Sequence, residues 1–116
     1  MGIALTLRPE RDSSLQVKES PVSQPPAVAT EYNLTTTNLV SAPTSPTIAA
    51  VNLTTGQTVT ATVVNGAASV SSDVITFNID TLIIRNSYQV AITFTVGTTV
   101  YIRYLVINCK QAGVGP

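Results

Sequence analysis

Residues 87–109, SYQVAITFTVGTTVYIRYLVINC, decide the fold of this chain. Tyr88, Val90, Ile92, Phe94 and Val96 alternate with Gln89, Ala91, Thr93 and Thr95. Such a period of two belongs to a β-strand with one face in a core and the other in water. Gly97-Thr98-Thr99 supplies a turn, glycine accepting the positive φ that hairpins need. The return strand carries Val100, Ile102, Tyr104 and Val106 on one face, and Tyr101, Arg103, Leu105 and Ile107 on the other. Both faces are mostly apolar, which predicts that something besides the main core covers one of them.

Upstream of this hairpin, strand and turn signals alternate at close spacing. Ile48 to Leu53 reads as a strand, Thr54-Thr55-Gly56-Gln57 as a turn, and Thr58 to Val64 as a second strand rich in Thr and Val. Asn65-Gly66 is a strong hairpin signal, because both residues accept positive φ. Ala67 to Ser71 returns, Ser72-Asp73 turns, Val74 to Ile79 makes the next strand, and Asp80 to Asn86 forms a corner. No segment carries a capped 3.6-residue period. The prediction is an all-β domain over residues 45–110, an antiparallel sandwich or small barrel. The glycine-containing residues 111–116 read as a flexible C-terminal tail.

Residues 1–44 differ in texture. Arg8 to Glu31 holds seven charged residues of the chain's twelve, and prolines recur from Pro9 to Pro43. Pro21, Pro25 and Pro26 suggest an extended connector that cannot bury enough apolar surface by itself to offset its ordering entropy. Two readings compete, a free tail and an arm that orders by adding to a sheet edge. Leu5, Leu7, Leu15 and Val17 alternate with polar residues, which favours the arm.

The 116 residues are enough for one domain, and only 10% are charged where about 25% is usual. The formal net charge is zero, so nothing electrostatic points to nucleic acid or an anionic membrane as partner. Weak colloidal repulsion points to assembly, with a homo-oligomer expected. MGIALTLRPERD lacks a basic segment leading into a long apolar run, so no signal peptide is expected, and no run reaches the length of a membrane-spanning helix.

Chemistry has little to draw on. Histidine is absent, the single Cys109 has no base near it in sequence, and neither a nucleophile elbow nor a phosphate loop occurs. No cofactor, metal site or enzymatic activity is expected. Asp73 and Asp80, the carboxylates of residues 45–110, sit where turn hydrogen bonds are the ordinary role. Arg103 is the one charge within the long hairpin. It reads either as a snorkelling surface residue or as part of an interface that includes Tyr101 and Leu105 and pairs with an acidic group.

The run from Leu82 to Tyr88, followed by alternating apolar residues, resembles the corner before strand F of immunoglobulin-like sandwiches. The resemblance covers residues 46–108 and gives Tyr88 the role of the corner tyrosine, bonding back to the upstream backbone. The missing cysteine pair and the absence of tryptophan set the chain apart from antibody-type domains. Within that class TTGQTV, VVNGAASV and YQVAITFTVGTTVYIRYLV are similar in texture to small bacteriophage virion proteins.

That resemblance implies a virion protein, assembled in a host cytoplasm, whose partners are major capsid or neck and tail subunits. A capsid decoration or cement role leads, and a neck, tail or fibre adaptor follows. Leu5, Leu7, Leu15, Val17, Tyr101, Arg103 and Leu105 are the candidate interface residues. A carbohydrate- or receptor-binding adhesin module is the rival class. It would display aromatic platforms on loops, whereas the four Tyr and two Phe here fall mostly in strands.

Overall fold

The alternation in the long hairpin becomes β7 (Ser87–Val96) and β8 (Thr99–Cys109), with Tyr88, Val90, Ile92 and Phe94 of β7 all buried. The computed structural model describes residues 3–7, 16–24, 29–37, 39 and 42–109. The turn between β7 and β8 is two residues long, because Val96 pairs directly with Thr99. Gly97 takes the first turn position at φ 61, where a type II′ turn requires glycine.

β4 (Thr44–Asn52) pairs antiparallel with β7, and β2 (Val22–Gln24) pairs parallel with β8. These strands form one sheet in the order β2-β8-β7-β4. The other sheet has the order β1-β3-β6-β5, built from β1 (Ile3–Thr6), β3 (Thr30–Thr35), β6 (Val74–Ile79) and β5 (Ser69–Ser71). Inward side chains of both sheets make one cluster, with Leu34, Ile75, Phe77 and Ile79 from the first meeting Val90, Ile92, Leu105 and Ile107 from the second. The fold is all-β, as expected, with two mixed sheets and a single short helix among the described residues.

That helix, α1 (Thr60–Val63), corrects the expectation of a strand over Thr58 to Val64. Thr and Val favour strands, but tertiary contacts override that preference here. Thr58 bridges to Val51 in the second sheet and Val64 to Ile79 in the first, so this segment must cross between layers. One helical turn makes the crossing and buries Val63. The Thr60 hydroxyl fixes it to β4 by accepting from the Ala50 N–H at 2.9 Å and donating to the Ala50 carbonyl at 3.4 Å.

The segment 1–44, expected to lie outside the sandwich, contributes β1, β2 and β3 to the two sheets. Leu5, Leu7 and Val17 are buried in the common core of this same chain. Their backbone follows, with the Leu7 N–H donating to Thr35 at 3.2 Å and the Val17 N–H to Tyr104 at 3.0 Å. Gln24 locks β2 in place from inside. Its side-chain amide donates to the Ile79 carbonyl at 2.8 Å, and its Oε1 accepts from the Tyr32 hydroxyl at 2.7 Å, so the contact joins both sheets. The Tyr32 ring stacks on Phe77 at 5.4 Å. Leu15 and residues 111–116 lie outside the described residues.

Candidate functional site

Two faces of β8 compete for the role of docking surface, and the ladder with β7 decides between them. Phe94 lies opposite Tyr101, Ile92 opposite Arg103, Val90 opposite Leu105, and Tyr88 opposite Ile107. Directly opposed residues share a sheet face, so the core face of β7 carries the Tyr101, Arg103, Leu105 and Ile107 side of β8 inward. Leu105 and Ile107 are accordingly buried in the chain's own core. The face expected from the sequence to meet a partner is thus the one this chain covers by itself.

Tyr101 and Arg103 occupy the end of that inner face. Tyr101 is half-buried and stacks on Phe94 with 5.6 Å between ring centroids and planes 12° apart. The Arg103 guanidinium lies 5.8 Å from the Tyr101 ring centre and donates to the Ile102 carbonyl at 2.7 Å. A cation over an aromatic face gains about 0.5–1 kcal/mol where water still reaches it. Arg103 is half-buried at this end of the core, its guanidinium held against Tyr101 and the Ile102 carbonyl. Leu5, Leu7 and Val17 stand in the core as well, so among the described candidates none but the half-buried Tyr101 and Arg103 reaches the surface.

The open face is the opposite one. Thr47, Ala49 and Val51 of β4, Gln89, Ala91, Thr93 and Thr95 of β7, and Val100, Ile102, Tyr104 and Val106 of β8 point outward, with no charged residue among them. Val100 is 66% exposed and Ile102 36%. The outer face of the first sheet is different in kind. There Glu31 accepts from the Asn33 amide at 3.0 Å, and Asn33 accepts from the Thr76 hydroxyl at 2.8 Å, a polar ladder suited to water. Sequence reasoning missed Ile102, Tyr104 and Ala91 as surface candidates. The signal that finds them is the length of the Gly97-Thr98 turn, which sets the register.

The carboxylates hold loops. Asp73 accepts from the Ala42 N–H at 2.8 Å and from the Thr37 hydroxyl at 3.4 Å. Asp80 accepts from the Asn65 amide at 3.1 Å and the Thr81 hydroxyl at 2.9 Å. Burial pushes the Cys109 thiol up, away from the reactive thiolate. Among the described residues no three His, Cys, Asp or Glu side chains come together to hold a metal ion. An open groove of about 450 Å³ between β4 and the segment from α1 to β5 is lined by Pro46, Ile48, Ala61, Val64 and Ala68, among others. Its lining is apolar and small apart from Thr47 and Thr60, and holds no ionisable group. No helix among the described residues is long and apolar enough to cross a membrane. Neither the protein-family models nor the curated proteins compared with this chain give a match.

Proposed function

We propose that this chain is a non-enzymatic structural protein of a virion, one that binds and stabilises capsid subunits as a decoration or cement protein. The single observation that carries the binding role is the uncharged outer face of the β2-β8-β7-β4 sheet, which leaves Val100 and Ile102 in contact with water. Exposed apolar area of this kind on a small domain marks a surface that functions when covered. Four of the six aromatic residues, Tyr32, Phe77, Tyr88 and Phe94, are buried, which counts against an adhesin that reads glycans with exposed rings.

An immunoglobulin-like sandwich is the architecture that best accommodates the strand order. With β1, β3, β6 and β5 as strands A, B, E and D, and β4, β7 and β8 as C, F and G, the order of both sheets follows that fold. The hydrogen bond from the Ile83 N–H to the Tyr88 hydroxyl supports it, being the corner expected before strand F. The parallel pairings β1 with β3 and β2 with β8 are departures from its antiparallel sheets.

Immunogold labelling of assembled particles with an antibody against this chain tests the role. Label spread over the shell is the expected result. Label confined to one vertex or the tail favours the neck, tail or fibre adaptor, which uses the same face. Label absent from particles and present in free protein fractions overturns the virion reading.

A further inference from the structure

We propose that Asn65 and Gly66 form a self-modifying site, where the Gly66 backbone nitrogen attacks the Asn65 side-chain carbonyl carbon and expels the amide nitrogen that holds Asp80. The inference is independent of the role proposed above.

The sequence and the local structure single out this position. Among the asparagines of the chain Asn65 alone precedes a glycine, the others being followed by Leu, Ile, Ser or Cys. A following side chain hinders the approach of the next backbone nitrogen, and glycine has none. Gly66 sits at φ 82, and a Cβ built there would meet nothing within 4 Å. Both residues are exposed, in the bend between α1 and β5. Among the described residues no hydrogen bond holds the Gly66 N–H. Asn52 is the contrary case. It is buried, leucine follows it, and its Oδ1 accepts from the Thr54 and Thr55 N–H groups at 2.9 and 3.1 Å.

The chemistry closes with water as its sole co-reactant. The Gly66 nitrogen bonds to Asn65 Cγ within the same chain, forming a five-membered imide ring. The Cγ–Nδ2 bond breaks, and Nδ2 departs as ammonia with the proton that Gly66 gives up. Water then opens the ring. Cleavage at Cγ gives aspartate, and cleavage at the main-chain carbonyl gives isoaspartate, whose backbone runs through Cβ and Cγ.

Either product breaks a contact. The Asn65 Nδ2 donates to Asp80 Oδ2 at 3.1 Å, while Asp80 Oδ1 accepts from the Thr81 hydroxyl. Aspartate sets one carboxylate against another. Isoaspartate loses the donor and lengthens the main chain. Around this bond the Asp80 N–H donates to the Val63 carbonyl and the Asn65 N–H to the Asn78 carbonyl, each at 2.9 Å, and Val64 bridges to Ile79. The segment that crosses between the sheets is tied to β6 here, so the modification loosens that tie.

The test incubates the full folded chain in mildly alkaline buffer and sequences its fragments by mass spectrometry. Isoaspartyl methyltransferase, with labelled methyl donor, reads isoaspartate. Asn65 should gain the mass of an amide-to-acid exchange ahead of every other asparagine, and the chain should accept methyl groups. Asn65→Gln, too long to close the five-membered ring, should lose both signals. Asn65→Asp should lower the folded-to-unfolded ratio in urea about fivefold at low salt, and less at high salt. Adding Asp80→Asn to it restores one amide and one carboxylate, and should recover most of that loss. An Asn65 that stays intact in the folded chain overturns the site. An Asn65→Asp variant as stable as the parent, or a loss that Asp80→Asn does not recover, overturns the link to Asp80.

Discussion

The Tyr88 hydroxyl accepts a hydrogen bond from the Ile83 backbone N–H at 2.8 Å, joining the first buried ring of β7 to the corner that precedes it. Ile83 itself is exposed, so the bond holds the corner's backbone while its side chain stays in water. Tyr88→Phe keeps the ring and removes the acceptor. It should cost about 1–2 kcal/mol in urea denaturation, with an unchanged far-ultraviolet spectrum. An unaltered midpoint would show that water replaces the hydroxyl without loss.

The two faces of β8 should respond oppositely to change. Leu105→Ala removes a core side chain and should cost about 2–5 kcal/mol. Ile102→Thr on the outer face should cost less than about 1 kcal/mol. Equal losses at the two positions would contradict the register described for β7 and β8.

That register marks where the sequence stopped being legible. Alternation in Tyr88 to Phe94 marked a strand with one apolar face, which the structure buries, because polar residues are set against the apolar ones, and Val74 to Ile79 likewise forms the strand expected there. β8 is apolar on both sides, so its inward face depends on pairing, and pairing depends on turn length. A three-residue turn at Gly97-Thr98-Thr99 would put Ile102 on the core side. The two-residue turn puts Leu105 there, since a slip of one residue exchanges every side chain between faces. Thr58 to Val64 misled for another reason. Local preference said strand, and the crossing between sheets required a helical turn. The placement of Leu5, Leu7 and Val17 in this chain's own core was invisible because their partners lie far away in sequence.

Gly97→Ala tests the turn alone. A Cβ at Gly97 would meet open space, so the whole cost comes from φ 61. About 1 kcal/mol is expected, measured by thermal or urea unfolding. A larger loss, accompanied by altered hydrogen exchange along β8, would indicate that the register itself depends on this residue.

Stability should fall at alkaline pH. Burial pushes the Tyr32 phenol and the Cys109 thiol up, and both groups are uncharged when protonated. The folded chain therefore keeps these protons more tightly than the unfolded chain. Their full contribution is present below about pH 8.5, the ordinary thiol value, and is lost as pH rises past it, at up to about 1.4 kcal/mol per pH unit for each proton. The decline should steepen near pH 10, where unfolded tyrosine ionises. Cys109→Ala should abolish the first part and Tyr32→Phe the second, in urea midpoints taken from pH 7 to 11. A midpoint constant over that range would refute the assignment.

Shortening the N-terminus should destabilise the domain instead of trimming a tail. Deleting residues 1–24 removes Leu5, Leu7 and Val17 from the core and takes away Gln24, the acceptor of the buried Tyr32 hydroxyl. Gln24→Ala alone should cost about 2–3 kcal/mol. The deletion should leave no cooperative unfolding transition, whereas a deletion that retained the full midpoint would mean these residues contribute nothing to the fold.

The contact between β2 and β8 also sets a schedule. The Ser20 hydroxyl accepts from the Val106 N–H across 86 residues of chain, so β2 leaves the ribosome well before the partner it pairs with. At about 5–20 residues per second, that wait lasts roughly 4–17 seconds. Pairing across such a separation also belongs to the slow class of folding, in milliseconds to seconds after release. For that interval Val17 and Gln24 have no finished sheet to enter. A nascent chain of this protein therefore carries β2 unhoused until β8 has been made, and that incomplete chain is the form most open to proteases and chaperones.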